Sequence, residues 1–383
     1  MTARLTGRFS IKDYKMTATA QQKESSISID LQIRLKEELP PGESLYITGN
    51  SPTLGNWEPA GKKLEKDHDD IYRVSLTAAK GSIIEYKLTR GSWKTQGICD
   101  PKIIPPENMV IKATRNTSIK VTILDWLDRQ VLESDPVRGR LLEFDGFPCS
   151  GLKHKRPIQV WLPDSYSEDG PANSVIYMHD SQNLFEPASA FAGVDWKVDE
   201  NISDLLESGV IRPCIVVGIP NSPDRMKELN LFTREGKAYA KFIVDEVIPF
   251  VEKRFNVIKS RSGRALMGSS MGGLMSLQML LDHPQVFSLA GCLSSAFQKT
   301  DGKIFAQIEQ AASLPLDTRI YLDTGEFEPP IAASYVQMMN LLKIRGFCEG
   351  KNLMGFFDEA ATHCEAAWAR RLKLPLQFLL GKN

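Results

Sequence analysis

The chain of 383 residues is long for one domain and comfortable for two, and its 42% hydrophobic and 25% charged content is that of a globular protein with a sizeable core. Lys plus Arg and Asp plus Glu both count 47, so the formal net charge is zero, which excludes a nucleic acid or membrane surface recognised through bulk charge. No apolar run approaches a membrane span, and the opening stretch from Met1 to Ser10 lacks the apolar core of a secretory signal, so the expected location is cytoplasmic.

Residues 1–25 are polar and aperiodic and read as a loose arm. From Ser26 the pattern alternates, with Ile27, Ile29, Leu31, Ile33 and Leu35 apolar, which predicts a half-buried strand. Similar short runs follow at 44–48, 71–76, 83–88, 109–113 and 118–124, separated by turn residues such as Pro40-Pro41-Gly42 and Lys80-Gly81. That spacing predicts a small all-β sandwich over residues 26–127. A polar linker over 128–136 ends in Glu133-Ser134-Asp135-Pro136.

Within this module, the string from Tyr46 through Gly49-Asn50 to Leu54-Gly55-Asn56-Trp57, with Glu85-Tyr86-Lys87-Leu88 further on, resembles the family-20 starch-binding modules. The resemblance implies a sugar-stacking site with Trp57 as one platform and Trp93 as the second candidate, and hence glucan binding. The physics suits such a site, because flat apolar sugar faces pack on indole rings. The family's Trp-Glu…Asn-Arg stretch is replaced here by Trp93-Lys94-Thr95-Gln96 and by Pro101, Pro105 and Pro106. The rival reading is a structural lid with Trp57 as a packing residue.

From residue 137 to residue 383 the signature changes. The segments 140–144 and 157–162 read as antiparallel edge strands. Apolar runs at 175–178, 214–219, 265–267, 287–293, 320–322 and 353–357 then alternate with helical stretches. Strands that are apolar throughout are buried on both faces, as in a parallel sheet. The clearest helix spans 235–255, with a kink expected at Pro249, and others span 331–345 and 365–380. This layout predicts an α/β hydrolase, a central mostly parallel sheet flanked by helices.

Gly268-Ser269-Ser270-Met271-Gly272, between an apolar strand and an apolar helix, is the nucleophile-elbow pattern, with Ser270 on the turn. The rival is a glycine-rich turn without chemistry. A serine hydroxyl needs a base. Of the five histidines, His68 lies in the β module, His154 in a basic loop, and His283 caps the helix after the elbow. His179 precedes the serine in the chain, whereas His363 follows the last strand, where the order Ser…acid…His puts the base. The acid belongs between Ser270 and His363. Asp323 still belongs to a strand end, so Glu328 is preferred and Glu326 is second. The oxyanion hole draws on the backbone N–H of Met271 and on one from the loop after the strand at 175–178.

The motifs Tyr177-Met178-His179-Asp180-Ser181-Gln182-Asn183-Leu184-Phe185, Val217-Gly218-Ile219-Pro220-Asn221 with Arg225 and Glu228, the elbow, and His363 with Glu365 and Trp368 resemble the esterase D-like branch of the α/β hydrolases over about 137–380. That branch includes feruloyl, acetylxylan and siderophore esterases and mycolyltransferases. The resemblance implies a Ser–acid–His esterase without metal or cofactor, with Gln182 as the second oxyanion donor and Arg225 and Glu228 as a structural pair near the pocket. Many members have glycine where this chain has Ser181. The six cysteines (Cys99, Cys149, Cys214, Cys292, Cys348 and Cys364) form no C-x-x-C pair or metal-ligand spacing; Cys364, beside His363, reads as a structural residue rather than a second thiol at the site.

The leading expectation is a serine carboxylesterase acting through an acyl-enzyme on a small-molecule or glycan ester, either an acylated carbohydrate or a siderophore-like ester. The alternatives are a glycan-binding protein with a weak or inactive hydrolase domain, and an acyltransferase using the same three residues.

Overall fold

A computed structural model of the chain describes residues 26–130, 136–191, 193–311, 315, 317–359 and 361–382. The expected arm at 1–25 and most of the expected linker fall outside the described residues.

The alternation after Ser26 forms β1 (Ser26–Leu35), whose Ile27, Ile29, Leu31 and Ile33 point into one core. The strands that follow are β2 (Leu45–Gly49), β3 (Lys62–Leu64), β4 (Tyr72–Ala79), β5 (Ile83–Thr89), β6 (Gly97–Ile98), β7 (Met109–Lys112), β8 (Thr117–Ile123) and β9 (Asp125–Trp126). One sheet has the order β4-β1-β8 and the other β3-β2-β5-β7, while β6 and β9 form a small ribbon. Ile29, Leu31, Ile47, Leu88 and Trp126 pack between them. The short pieces β3, β6 and β9 lie outside the periodic runs, because two or three residues carry no readable alternation.

The second sheet comprises β10 (Arg140–Phe144), β11 (Ile158–Leu162), β12 (Ser174–His179), β13 (Cys214–Ile219), β14 (Arg264–Ser269), β15 (Leu289–Leu293), β16 (Arg319–Gly325) and β17 (Leu353–Asp358). Their order is β10-β11-β13-β12-β14-β15-β16-β17. The pairings β10–β11 and β11–β13 are antiparallel, and the pairings from β13 to β17 are parallel. Residues of β12 alternate between two cores: Val175 and Tyr177 join Leu266, Phe242 and Phe287, whereas Ile176 and Met178 join Met267, Trp196 and Trp368. Helices cover both faces, which makes this half an α/β hydrolase fold.

The helices are α1 (Val198–Glu207), α2 (Arg225–Glu228), α3 (Arg234–Phe242), α4 (Ile248–Arg254), α5 (Met271–Asp282), α6 (Lys303–Gln310), α7 (Pro329–Ile344), α8 (Glu365–Arg371) and α9 (Lys373–Leu380). The helix expected over 235–255 is therefore interrupted. Pro249 supplies no N–H to continue the ladder, and the backbone widens into a π turn at Ile243–Val247 before it. The helix expected over 365–380 is likewise two, broken at Leu372. Among the described residues no helix is long and apolar enough to cross a membrane.

The two halves are docked. Lys112 of β7 meets Glu326 at 2.8 Å and lies 4.9 Å from the ring centre of Phe327. Arg370 of α8 meets Glu107 at 3.1 Å. Glu85 and Lys87 of β5 project from the sandwich face opposite its core, yet they are only 4% and 7% exposed. The electrostatic neighbours of Glu85 include His363 and Glu328, and those of Lys87 include Cys364 and Glu365.

Candidate active site

The strand β14 ends at Ser269, and the chain reverses into α5 through Ser270, whose φ of 55° and ψ of −116° lie outside the ordinary regions for a non-glycine residue. The conformation is fixed on both sides: the Ser270 N–H donates to the Leu293 carbonyl at 2.9 Å, and the Ser270 carbonyl accepts from Ala296 N–H at 2.9 Å. A side chain on Gly268 would put its Cβ 2.7 Å from the Gly272 carbonyl carbon, so the flanking glycines are demanded by the tightness of the turn. Met271 opens α5, where the first N–H groups have no partner within the helix.

The His363 Nε2 lies 3.0 Å from Ser270 Oγ. Its Nδ1 faces Glu328 Oε1 at 3.4 Å, an ion-pair separation longer than a formed hydrogen bond; contacts of this kind tighten in substrate complexes. The imidazole also stands edge-on to Trp368, with ring centres 5.0 Å apart. Glu328 is 3% exposed and is held from several sides. Its Oε1 accepts from Ser294 Oγ at 2.9 Å, and its Oε2 from Gly325 N–H at 3.1 Å and Thr324 Oγ1 at 3.2 Å. Burial pushes this carboxyl up, but His363, the Arg371 guanidinium and the Gly325 N–H outweigh it and hold the group below its ordinary value. Burial pushes the His363 imidazole down, but the Glu328 carboxylate, with Glu85 and Glu365 adding to it, raises it above its ordinary value.

Behind Glu328 lies a buried ion pair. Arg371 of α8 donates to both oxygens of Asp323, at 2.8 and 3.0 Å, and to Ser294 Oγ at 2.6 Å. Asp323 is thus engaged in the core and Glu326 is engaged by Lys112; Glu328 alone of the three carboxylates reaches His363.

The turn after β12 carries Ser181, Gln182 and Asn183, entered through Asp180 at a left-handed φ of 60°. Asp180 is 3% exposed and is clamped by Arg225, whose Nε and guanidinium nitrogen each donate at 2.7 Å, and by Asn221 Nδ2 at 3.0 Å. Burial pushes this carboxyl up, but Arg225 and Asn221 prevail and lower it. The pairing expected between Arg225 and Glu228 is not formed: Glu228 is bound bidentately by Arg156, at 2.7 and 2.8 Å, so two buried ion pairs stand where the sequence suggested one. His179 is buried against Tyr239 at 2.9 Å, and burial lowers its pKa to about 4, which leaves it neutral. His154 pairs with Asp224 at 3.2 Å, and His283 caps α5. Cys364 is buried, with its Sγ 3.3 Å from Thr362 Oγ1.

These elements surround a cavity of about 290 Å³. Ser270, His363, Gln182 and Arg225 line it from the hydrolase side, and Trp57, Trp93 and Lys87 from the sandwich. The two tryptophans singled out by sequence therefore share a cavity with Ser270. Lys87 and Asn108 escaped sequence reasoning as lining residues, whereas Phe191 lies on the loop 186–196 that the sequence marks as lining the pocket. Lys87 stands on the face of β5 away from the sandwich core, and the hydrolase half covers that face.

Three comparisons bear on this geometry. A family model described as Putative esterase matches residues 149–376, and one described as Starch binding domain matches residues 26–101. An uncharacterized Bacillus subtilis protein, YbbA, is 24% identical over 253 residues, which cover 60% of this chain and 94% of that protein. An endo-1,4-beta-xylanase/feruloyl esterase of Xylanibacter ruminicola is 27% identical over 181 residues, 46% of this chain but only 23% of that protein. The enterobactin esterase Fes from Shigella flexneri superposes with a TM-score of 0.55 at 13% identity, over 94% of this chain and 95% of that one, a likeness of fold. With more than half of its length matched by the first of these family models, the chain belongs to the esterase family and is a carboxylic ester hydrolase.

Proposed function

We propose that the protein is a serine carboxylesterase in which Ser270 is the nucleophile, His363 the base and Glu328 the acid behind it. The observation that carries this reading is the 3.0 Å contact between Ser270 Oγ and His363 Nε2 at a strained elbow. The Oγ attacks the ester carbonyl carbon while its proton passes to Nε2. The oxyanion that forms is held by the N–H groups of Met271 and Gln182. Collapse breaks the bond to the alcohol oxygen, which takes the proton from His363, and an acyl-enzyme remains. Water, deprotonated by the same imidazole, then releases the acid. Glu328 stays ionised, fixes the imidazole tautomer and stabilises the imidazolium.

Ser270→Ala should abolish hydrolysis of p-nitrophenyl acetate and labelling by a fluorophosphonate, with an unchanged circular dichroism spectrum. Full turnover by that variant overturns the assignment.

A further inference from the structure

The sandwich does not merely sit beside the hydrolase. Trp57 and Trp93 line the cavity that holds Ser270 and His363, and the Trp93 ring lies 5.6 Å from that of Phe191 on the facing hydrolase loop. Phe191 is 58% exposed, a large apolar ring kept at the rim. Trp57 has a φ of 66° and follows Asn56 at 48°, a left-handed pair that bulky residues avoid. The loop holds Trp57 there by close packing: a Cβ on Gly61 would lie 2.7 Å from the Leu54 carbonyl oxygen, and the Trp57 N–H donates to the Gly49 carbonyl at 3.0 Å. Backbone strain maintained this way concentrates where a side chain meets a ligand.

The rest of the lining mixes apolar side chains, among them Val194 and Trp368, with polar ones. Asn108 and Glu107 come from the sandwich, and Asn183, Asn221 and Glu365 from the hydrolase. Flat aromatic faces among amide and carboxylate groups suit a sugar, whose ring faces are apolar and whose edges carry hydroxyls. The cavity of about 290 Å³ is at the lower end of ligand pockets and open to solvent, which suits an acyl group with the sugar that bears it inside and the rest of a glucan outside.

We infer that Trp57 and Trp93 form the alcohol subsite of the esterase itself, so that the substrate is a short-chain O-acyl ester of an α-glucan oligosaccharide, stacked on the sandwich while its ester lies at Ser270. The inference rests on Ser270 being the nucleophile. The bond broken joins the acyl carbon to the sugar oxygen; water supplies the hydroxyl of the released acid and the proton of the restored sugar hydroxyl. The module is then a wall of one site and not a separate anchor to a distant glucan.

The test uses the full chain. Unmodified maltoheptaose should inhibit p-nitrophenyl acetate hydrolysis by the unaltered protein, because both occupy one cavity. In Trp57→Ala and Trp93→Ala, the ratio of kcat/KM for mono-O-acetylated maltoheptaose to that for p-nitrophenyl acetate should fall about tenfold, the scale of one lost ring contact. Maltoheptaose that binds calorimetrically without inhibiting would mark a remote anchor and overturn the inference, as would no binding at all. An equal fall in kcat/KM for ethyl ferulate would show that the rings hold an aromatic acyl group instead. Failure of the Ser270 assignment shows itself separately, as turnover surviving Ser270→Ala.

Discussion

A Cβ on Gly218 would lie 2.6 Å from the Cβ of Ser181, so the serine of the turn after β12 fills the space that this glycine of β13 leaves open. The Ser181 side chain is thus accommodated by the neighbouring strand, and Gln182 follows directly from it. Gly218→Ala should push the turn and its N–H groups outward and lower kcat for p-nitrophenyl acetate by roughly tenfold to a hundredfold, the scale of a misplaced catalytic group. Adding Ser181→Gly should restore much of the loss. Two penalties that simply add in a double-mutant cycle would refute the fit.

Glu328 and Glu326 stand two residues apart and differ in partner. Glu328→Ala should lower kcat on the order of 10³-fold or more, because the imidazole loses its orienting carboxylate. Glu326→Ala removes a partly exposed pair with Lys112, worth at most about 1 kcal/mol, and should leave turnover within about twofold. Steady-state rates of both variants, normalised to active-site titration, separate them.

The pH profile follows from the raised pKa of His363. The base must be neutral to accept the Ser270 proton, so kcat/KM should rise with pH through a limb above the ordinary histidine value of 6.5. Glu328→Gln removes the strongest of the influences that raise it. The residual activity of that variant should show its acid limb displaced to lower pH, and a limb that stays in place would exclude His363 as the titrating group.

Arg225→Met leaves Asp180 buried without its cation. That change should cost about 3 kcal/mol of stability, measured by urea denaturation, and should lower kcat as the turn carrying Gln182 loosens. Arg225→Lys keeps the charge but offers no planar fork for both carboxylate oxygens, so its effect should fall between the two. A variant as stable and active as the parent would remove the clamp from the account.

The elbow and the histidine were readable because they depend on local geometry and chain order. Gly268 and Gly272 announce a turn too tight for side chains, and His363 follows the last strand. The partners were not readable. Arg225 and Glu228 share a helical turn, but each turned to a residue elsewhere, Asp180 or Arg156, and no pattern within the segment encodes that choice. Glu328 is already preferred over Glu326 from the sequence, but the pairing of Glu326 with Lys112 is not readable there, because Lys112 belongs to the other half of the chain. Glu85 and Lys87 lie on the face of β5 away from the sandwich core, and only the docked halves make that face an interior.

The packing of β5 against the loop that bears His363 bears on how the enzyme fails. Glu85 senses both the main chain and the imidazole of His363, whereas Ser270 is anchored within the hydrolase sheet by Leu293 and Ala296. Loosening of the sandwich therefore reaches the base before it reaches the nucleophile. Heat inactivation should track the melting of the smaller, β-rich half, and enzyme that has lost turnover should still carry an intact hydrolase core.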